Sequence, residues 1–125
     1  MKILHTSDFH FGKRWGGISL IDDQTRVLDE ILALCELHDV DMLLVAGDVF
    51  SDRIEGNRLA DIAQTLLTRL RPLLERGRIV FLLRGNHDSI DLFDLLSFLL
   101  TEVSGKDSLP LVVASRPNIY KFAWI

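Results

Sequence analysis

Cysteine occurs only once in these 125 residues, at Cys35, so no disulfide can close within the chain. Cys35 falls among apolar residues of an expected helix, which points to a buried, inert thiol rather than a reactive one. Long hydrophobic runs are missing as well. No stretch approaches the roughly 20 apolar residues that span a bilayer. The apolar opening is too short for a signal peptide and soon meets a charge at Asp8. These absences give the expectation of a cytoplasmic, reducing location with no membrane partner. A basic surplus is also lacking: 14 Lys and Arg face 18 Asp and Glu, for a net charge of −4. That balance speaks against a module that holds nucleic acid by charge alone. An enzyme that grips phosphates through bound cations can still be acidic, because its empty metal sites contribute carboxylates. Repeats, low-complexity tracts and linkers are absent, and the length fits one domain. With 48% apolar and 26% charged residues, the composition is that of an ordinary soluble domain able to bury a core.

Short apolar runs alternate with longer helical stretches. Strands are expected over Lys2–Thr6, Asp41–Ala46 and Arg78–Leu83, with later ones over Leu109–Val113 and Ile119–Ile125. The second run is apolar enough to be buried on both faces. Helices are expected over Asp22–His38, with an apolar stripe of Val27, Leu28, Ile31, Leu32 and Cys35, then over Asn57–Glu75 and Ile90–Val103. Strand–helix alternation predicts an α/β fold, a parallel sheet with flanking helices. The segments Phe11–Gly17 and Ser51–Gly56 read as polar or glycine-rich loops. A chain that stops inside an apolar strand leaves an open edge, so a fragment is expected, or a last strand that pairs with something beyond it.

Three polar clusters follow the three strands: Asp8-Phe9-His10, Gly47-Asp48 and Gly85-Asn86-His87-Asp88. Ligands of open parallel sheets bind beyond the carboxyl ends of the strands. On an extended segment the side chains of Asp8 and His10 point the same way and can share one metal ion. The Asp48 carboxylate can bridge two cations, and Gly47 removes a Cβ where backbone must pass close by. Asn86 offers an amide oxygen to the second cation. Mixed oxygen and nitrogen donors suit manganese or iron, with zinc also admissible. Two such ions about 3.5–4 Å apart can clamp a phosphodiester and turn a bridging water into hydroxide. His87, as an imidazolium, can stabilise the transition state or protonate the leaving oxygen. Asp88, with Ser89, is expected to cap the third helix.

Leu4-His5-Thr6-Ser7-Asp8-Phe9-His10-Phe11-Gly12, Val45-Ala46-Gly47-Asp48-Val49-Phe50 and Gly85-Asn86-His87-Asp88-Ser89 resemble the calcineurin-like metallophosphoesterases and, among them, the SbcD nucleases of double-strand-break repair. The opening Leu-His-Thr-Ser-Asp and the pair Asp23-Gln24 are also SbcD-like. The resemblance covers roughly residues 1–104 and implies a metallophosphoesterase-type layered sheet, with residues 1–125 forming its N-terminal part. It implies Asp8, His10, Asp48 and Asn86 as metal ligands, His87 as the catalytic histidine, and two divalent ions, most commonly manganese. It further implies a DNA substrate, an SbcC-type ATPase partner, and a homodimer through helices 57–75 and 90–103. Two departures stand out. Ser51 intervenes before Asp52, where the family has an acidic residue or histidine directly. The family completes its metal sites with later histidines, including a Gly-His-x-His motif, whereas this chain has four histidines, at 5, 10, 38 and 87. His5 and His38 lie in a strand and at a helix end, so half of a ligand shell, weak metal affinity and little nuclease activity are expected of the chain alone.

Lys13, Arg14 and Trp15 follow the first cluster and are candidate contacts to a DNA backbone and a stacked base; Arg53 and Arg58 are weaker ones. The third helix is apolar nearly all round, which suits a partner-facing or deeply buried element. Two other readings stay open at this point. One is a phosphatase or small-molecule phosphodiesterase of the same superfamily, although Gly-Asn-His-Glu is the more usual form there. The other is a non-catalytic, truncated dimerisation module.

Overall fold

A computed structural model describes residues 1–52, 54, 56–100 and 110–121. Four strands build one wholly parallel sheet: β1 (Ile3–Thr6), β4 (Met42–Ala46), β5 (Ile79–Leu83) and β6 (Leu111–Ala114), in the order β1-β4-β5-β6. Between β1 and β4 the chain forms a hairpin, β2 (Arg14–Trp15) with β3 (Ile18–Ser19), and then helix α1 (Ile21–Leu37). Helix α2 (Gly56–Glu75) joins β4 to β5, and α3 (Ile90–Phe98) leads from β5 towards β6.

Because the strands add in one direction, right-handed crossovers carry all three helices to one face of the sheet. The main core lies there. Leu43, Val45, Val80, Leu82, Leu111 and Val113 point from alternate strand positions into Leu28 and Cys35 of α1, the Ile62–Leu66–Leu70–Leu73 row of α2, and Phe93 of α3. The intervening positions Met42, Ile79, Phe81 and Ala114 form a smaller cluster on the opposite face, where Phe81 meets the Tyr120 ring edge-on at 4.9 Å. This two-sided burial of β4 and β5 matches their unbroken apolar sequences.

Several expectations are corrected. Phe11–Gly17 is not a plain loop: Gly16 and Gly17 both have positive φ, 56° and 80°, the requirement for the tight turn that closes a two-residue hairpin. Val27, assigned to the inward stripe of α1, is 51% exposed, on the wall of a cavity of about 400 Å³ beside Phe9, Leu20 and Ile31. Residues 119–121 form no strand; the rest of the segment expected to 125 lies outside the described residues, as do Leu109, Arg53 and the 101–103 end of the third helix. Among the described residues no helix is long and apolar enough to cross a membrane.

Candidate metal centre

The parallel pairing of β1 with β4 does not stop at the strand ends. Asp8 N–H donates to the Gly47 carbonyl (3.0 Å), His10 N–H to the Asp48 carbonyl (2.9 Å) and Phe11 N–H to the Val49 carbonyl (2.9 Å), while Ser51 N–H donates back to Phe11 (3.0 Å). The two loops thus run side by side, and this backbone ladder brings Asp8 and His10 into register with Asp48. His10 Nε2 lies 3.7 Å from Asp8 Oδ1 and 3.9 Å from Asp48 Oδ2. Donor atoms of all three side chains fall within 4.8 Å of one another.

The convergence is reached differently from the sequence expectation. Asp8 and His10 are not on extended backbone. Both adopt left-handed conformations, with φ of 60° and 44°, and Asp48 does the same at 51°. Non-glycine residues there cost on the order of 1 kcal/mol or more each. Three such residues bearing three converging donors form a strained cluster of the kind that binding sites retain.

The third loop closes on the second through two contacts. Asp48 Oδ1 accepts from His87 N–H at 3.0 Å, so its two oxygens face different loops, Oδ2 towards His10 and Oδ1 towards Asn86-His87. Gly85 makes the approach possible: a Cβ there would sit 2.3 Å from both the Asp48 nitrogen and Oδ1. A Cβ on Gly47 would meet the Gly85 Cα at 3.2 Å, bearing out the need for a bare backbone at that position. Asn86 is exposed on this turn, next to Asp48 in the chain path. The His87 ring stands edge-on to His10, centroids 5.8 Å apart, and its Nδ1 lies 3.5 Å from Asp52 Oδ2.

Asp88 does not cap α3. Ser89 does so, accepting from Leu92 N–H. Asp88 turns inward, 5% exposed, and its carboxylate accepts from Val49 N–H (3.0 Å), Phe50 N–H (2.8 Å) and Gly85 N–H (2.8 Å). It therefore clamps the Gly47-Asp48 loop to the Gly85–Asp88 loop. The sequence offered a carboxylate after a polar turn, but nothing in it said which backbone groups would need an acceptor. Asp52 beside His87 was likewise visible only as a departure from a familiar pattern.

The electrostatics call for a cation. Two carboxylates, Asp8 and Asp48, approach closely, and among the described residues no Lys or Arg pairs with either. The Ser7 hydroxyl, donating to Asp8 Oδ2 at 2.6 Å, is the main cause holding the Asp8 carboxyl below its usual pKa; Asp48 and His10 reinforce it. Asp8 is thus kept ionised. Two carboxylates and one imidazole make a hard, mixed donor set suited to a divalent ion such as manganese, iron or zinc. Lys13 and Arg14 are exposed where the hairpin leaves this loop, and the neighbouring Trp15 is 74% exposed.

The calcineurin-like phosphoesterase model matches residues 1–121. Among curated proteins, the chain is 38% identical over 92 residues to the SbcD component of nuclease SbcCD from Bacillus subtilis (strain 168), covering 73% of this chain and 23% of that protein. Against the SbcD component from Escherichia coli (strain K12) it is 36% identical over 108 residues, covering 82% of this chain and 26% of the relative. The Staphylococcus saprophyticus counterpart is 32% identical over 89 residues, 71% and 23% of the two chains. The chain spans about a quarter of the length of these relatives. With the strand-end clusters converging as described and the family match running over nearly its whole length, the chain belongs to the calcineurin-like phosphoesterases.

Proposed function

We propose that the chain is the N-terminal part of a metal-dependent phosphodiesterase domain that cuts DNA, as the names of its SbcCD relatives suggest. The observation that carries this is the gathering of Asp8, His10 and Asp48 donors within 4.8 Å at the carboxyl edge of a parallel sheet, with His87 beside them. Two divalent ions, manganese by preference, supply Lewis-acid polarisation of the phosphodiester and a nucleophile at neutral pH. Asp8 and His10 hold one ion and Asn86 the other. The divergent oxygens of Asp48 fit it to serve both. His87, backed by Asp52, delivers a proton to the leaving oxygen. Lys13 and Arg14, with Trp15, steady the DNA strand.

The relatives' names also support an SbcC-type ATPase partner for a protein of cytoplasmic location. A homodimer is part of the same proposal, with one adjustment. The exposed positions of α2 are mostly polar, whereas α3 exposes Leu95 and Phe98 at 54% and 55%, so α3 is the better supported contributor.

Calorimetric titration with manganese tests the site directly. Binding that Asp48→Asn abolishes is expected; no binding at millimolar metal would favour a non-catalytic dimerisation module. Manganese-dependent cleavage, measured on linear DNA beside a small phosphodiester, separates nuclease from small-molecule phosphodiesterase. His87→Ala should lower the rate by about 100-fold or more, the usual worth of a positioned proton donor.

A further inference from the structure

Gln24 lies in the first turns of α1 and belongs to none of the three clusters, yet its side chain is engaged at both ends with the loop that carries His10. Its amide nitrogen donates to the carbonyls of His10 (2.8 Å) and Phe9 (3.2 Å), and its amide oxygen accepts from Gly12 N–H (2.9 Å). All three contacts are partly buried. Two successive carbonyls aimed at one point repel each other, and they converge here because His10 is left-handed, with φ of 44°. A doubly donating NH2 group is what makes that convergence tolerable. With both carbonyls turned to Gln24, the His10 imidazole is left directed towards Asp8 and Asp48. The remaining loop contacts, His10 and Phe11 N–H to the Asp48 and Val49 carbonyls, use the opposite side of the same peptides.

We propose that Gln24 is a positioning residue of the metal centre: its amide pins the Phe9–Gly12 backbone in the strained form that presents His10 beside Asp8 and Asp48. The proposal rests on the metal-site reading above. Only an amide-length side chain carrying both a donor and an acceptor fulfils the role. Met matches the length and supplies neither, while Glu supplies the acceptor but sets a carboxylate against two carbonyls.

The test compares Gln24→Met and Gln24→Glu with wild type, and with Cys35→Ala as a control that loosens α1 two turns or more away, at a buried site remote from the loop. Manganese affinity is read from the free-ion spin-resonance signal. Hydrogen exchange of the His10, Phe11 and Gly12 amides is read without metal. Both Gln24 variants should bind manganese about 10- to 100-fold more weakly, the range for residues that orient metal ligands. They should also lose protection at these loop amides while the β4 and β5 amides keep theirs. Cys35→Ala should lower the melting temperature but leave affinity and loop protection unchanged. Unaltered affinity and protection in Gln24→Met would overturn the proposal, as would an equal loss of affinity in Cys35→Ala. If wild type bound no manganese, the metal reading would fail by itself, and retained loop protection in Gln24→Met would still overturn the positioning role.

Discussion

Asp88 and Ser7 show how single side chains outside the ligand set govern it. Asp88 accepts three backbone N–H groups from two loops while buried. Asp88→Asn keeps the shape but turns a donor towards at least one of those N–H groups. The expected cost is on the order of 2 kcal/mol, from hydrogen bonds to a charged group that are lost in a buried place. Urea unfolding of the metal-free chain checks this, and manganese affinity should fall with it because the two loops drift apart. For Ser7, the hydroxyl bond lowers the Asp8 pKa. A lowered folded-state pKa gives stability that is present above the unfolded value and lost as pH falls through the folded one. Ser7→Ala should therefore move the Asp8 carboxyl titration upward, towards the ordinary aspartate value, and start the acid loss of stability at a higher pH; carbon-detected NMR titration reads the shift. At this scale the sequence was legible where chemistry is carried by side-chain type at a strand end, as for Asp8, His10 and Asp48. It was illegible where a side chain serves backbone groups far off in the chain. The 39 residues between Val49 and Asp88 hold no cue to their pairing.

Among elements, the register of β1, β4 and β5 decides what meets what. Thr6 pairs with Val45, and Ala46 with Leu83, so the loops leave the sheet at one level. Gly85 is where the β4 and β5 loops touch. Gly85→Ala would force an atom into the space of Asp48 Oδ1, and the two loops must separate. Manganese binding should drop at least tenfold while the helical circular dichroism stays unchanged, since α1 to α3 pack elsewhere. By contrast, the Asp29–Arg69 bridge between α1 and α2, at 2.9 Å, is about half exposed. Asp29→Asn should change the unfolding free energy by less than about 1 kcal/mol in a denaturant series, as exposed ion pairs generally do. The strands and helices were legible to within a few residues because their apolar spacing repeats for several turns or pleats. The β2–β3 hairpin was not, since two residues per strand give no period, and its only signal was the Gly16-Gly17 pair.

At the scale of the whole molecule, the sheet has one face thickly covered by helices and one lightly covered, while α3 shows Leu95 and Phe98 to solvent. If α3 forms the proposed homodimer contact, Phe98→Arg should convert the sedimenting species to monomer without lowering the melting temperature, because Phe98 is mostly outside the core. An unchanged sedimentation coefficient would place dimer contacts elsewhere. The left-handed residues of the metal centre bear on the molecule as a whole too. Asp8 is exposed and makes no core contact, so a glycine in its place would relax the backbone and remove one of two crowded negative charges. Asp8→Gly should therefore melt a few degrees higher than wild type in chelator and lower than wild type in saturating manganese. A lineage released from the need to bind an ion would drift towards such replacements and become sturdier as it fell silent; the persistence of an awkward aspartate marks a fold still held at some distance from its own most comfortable form.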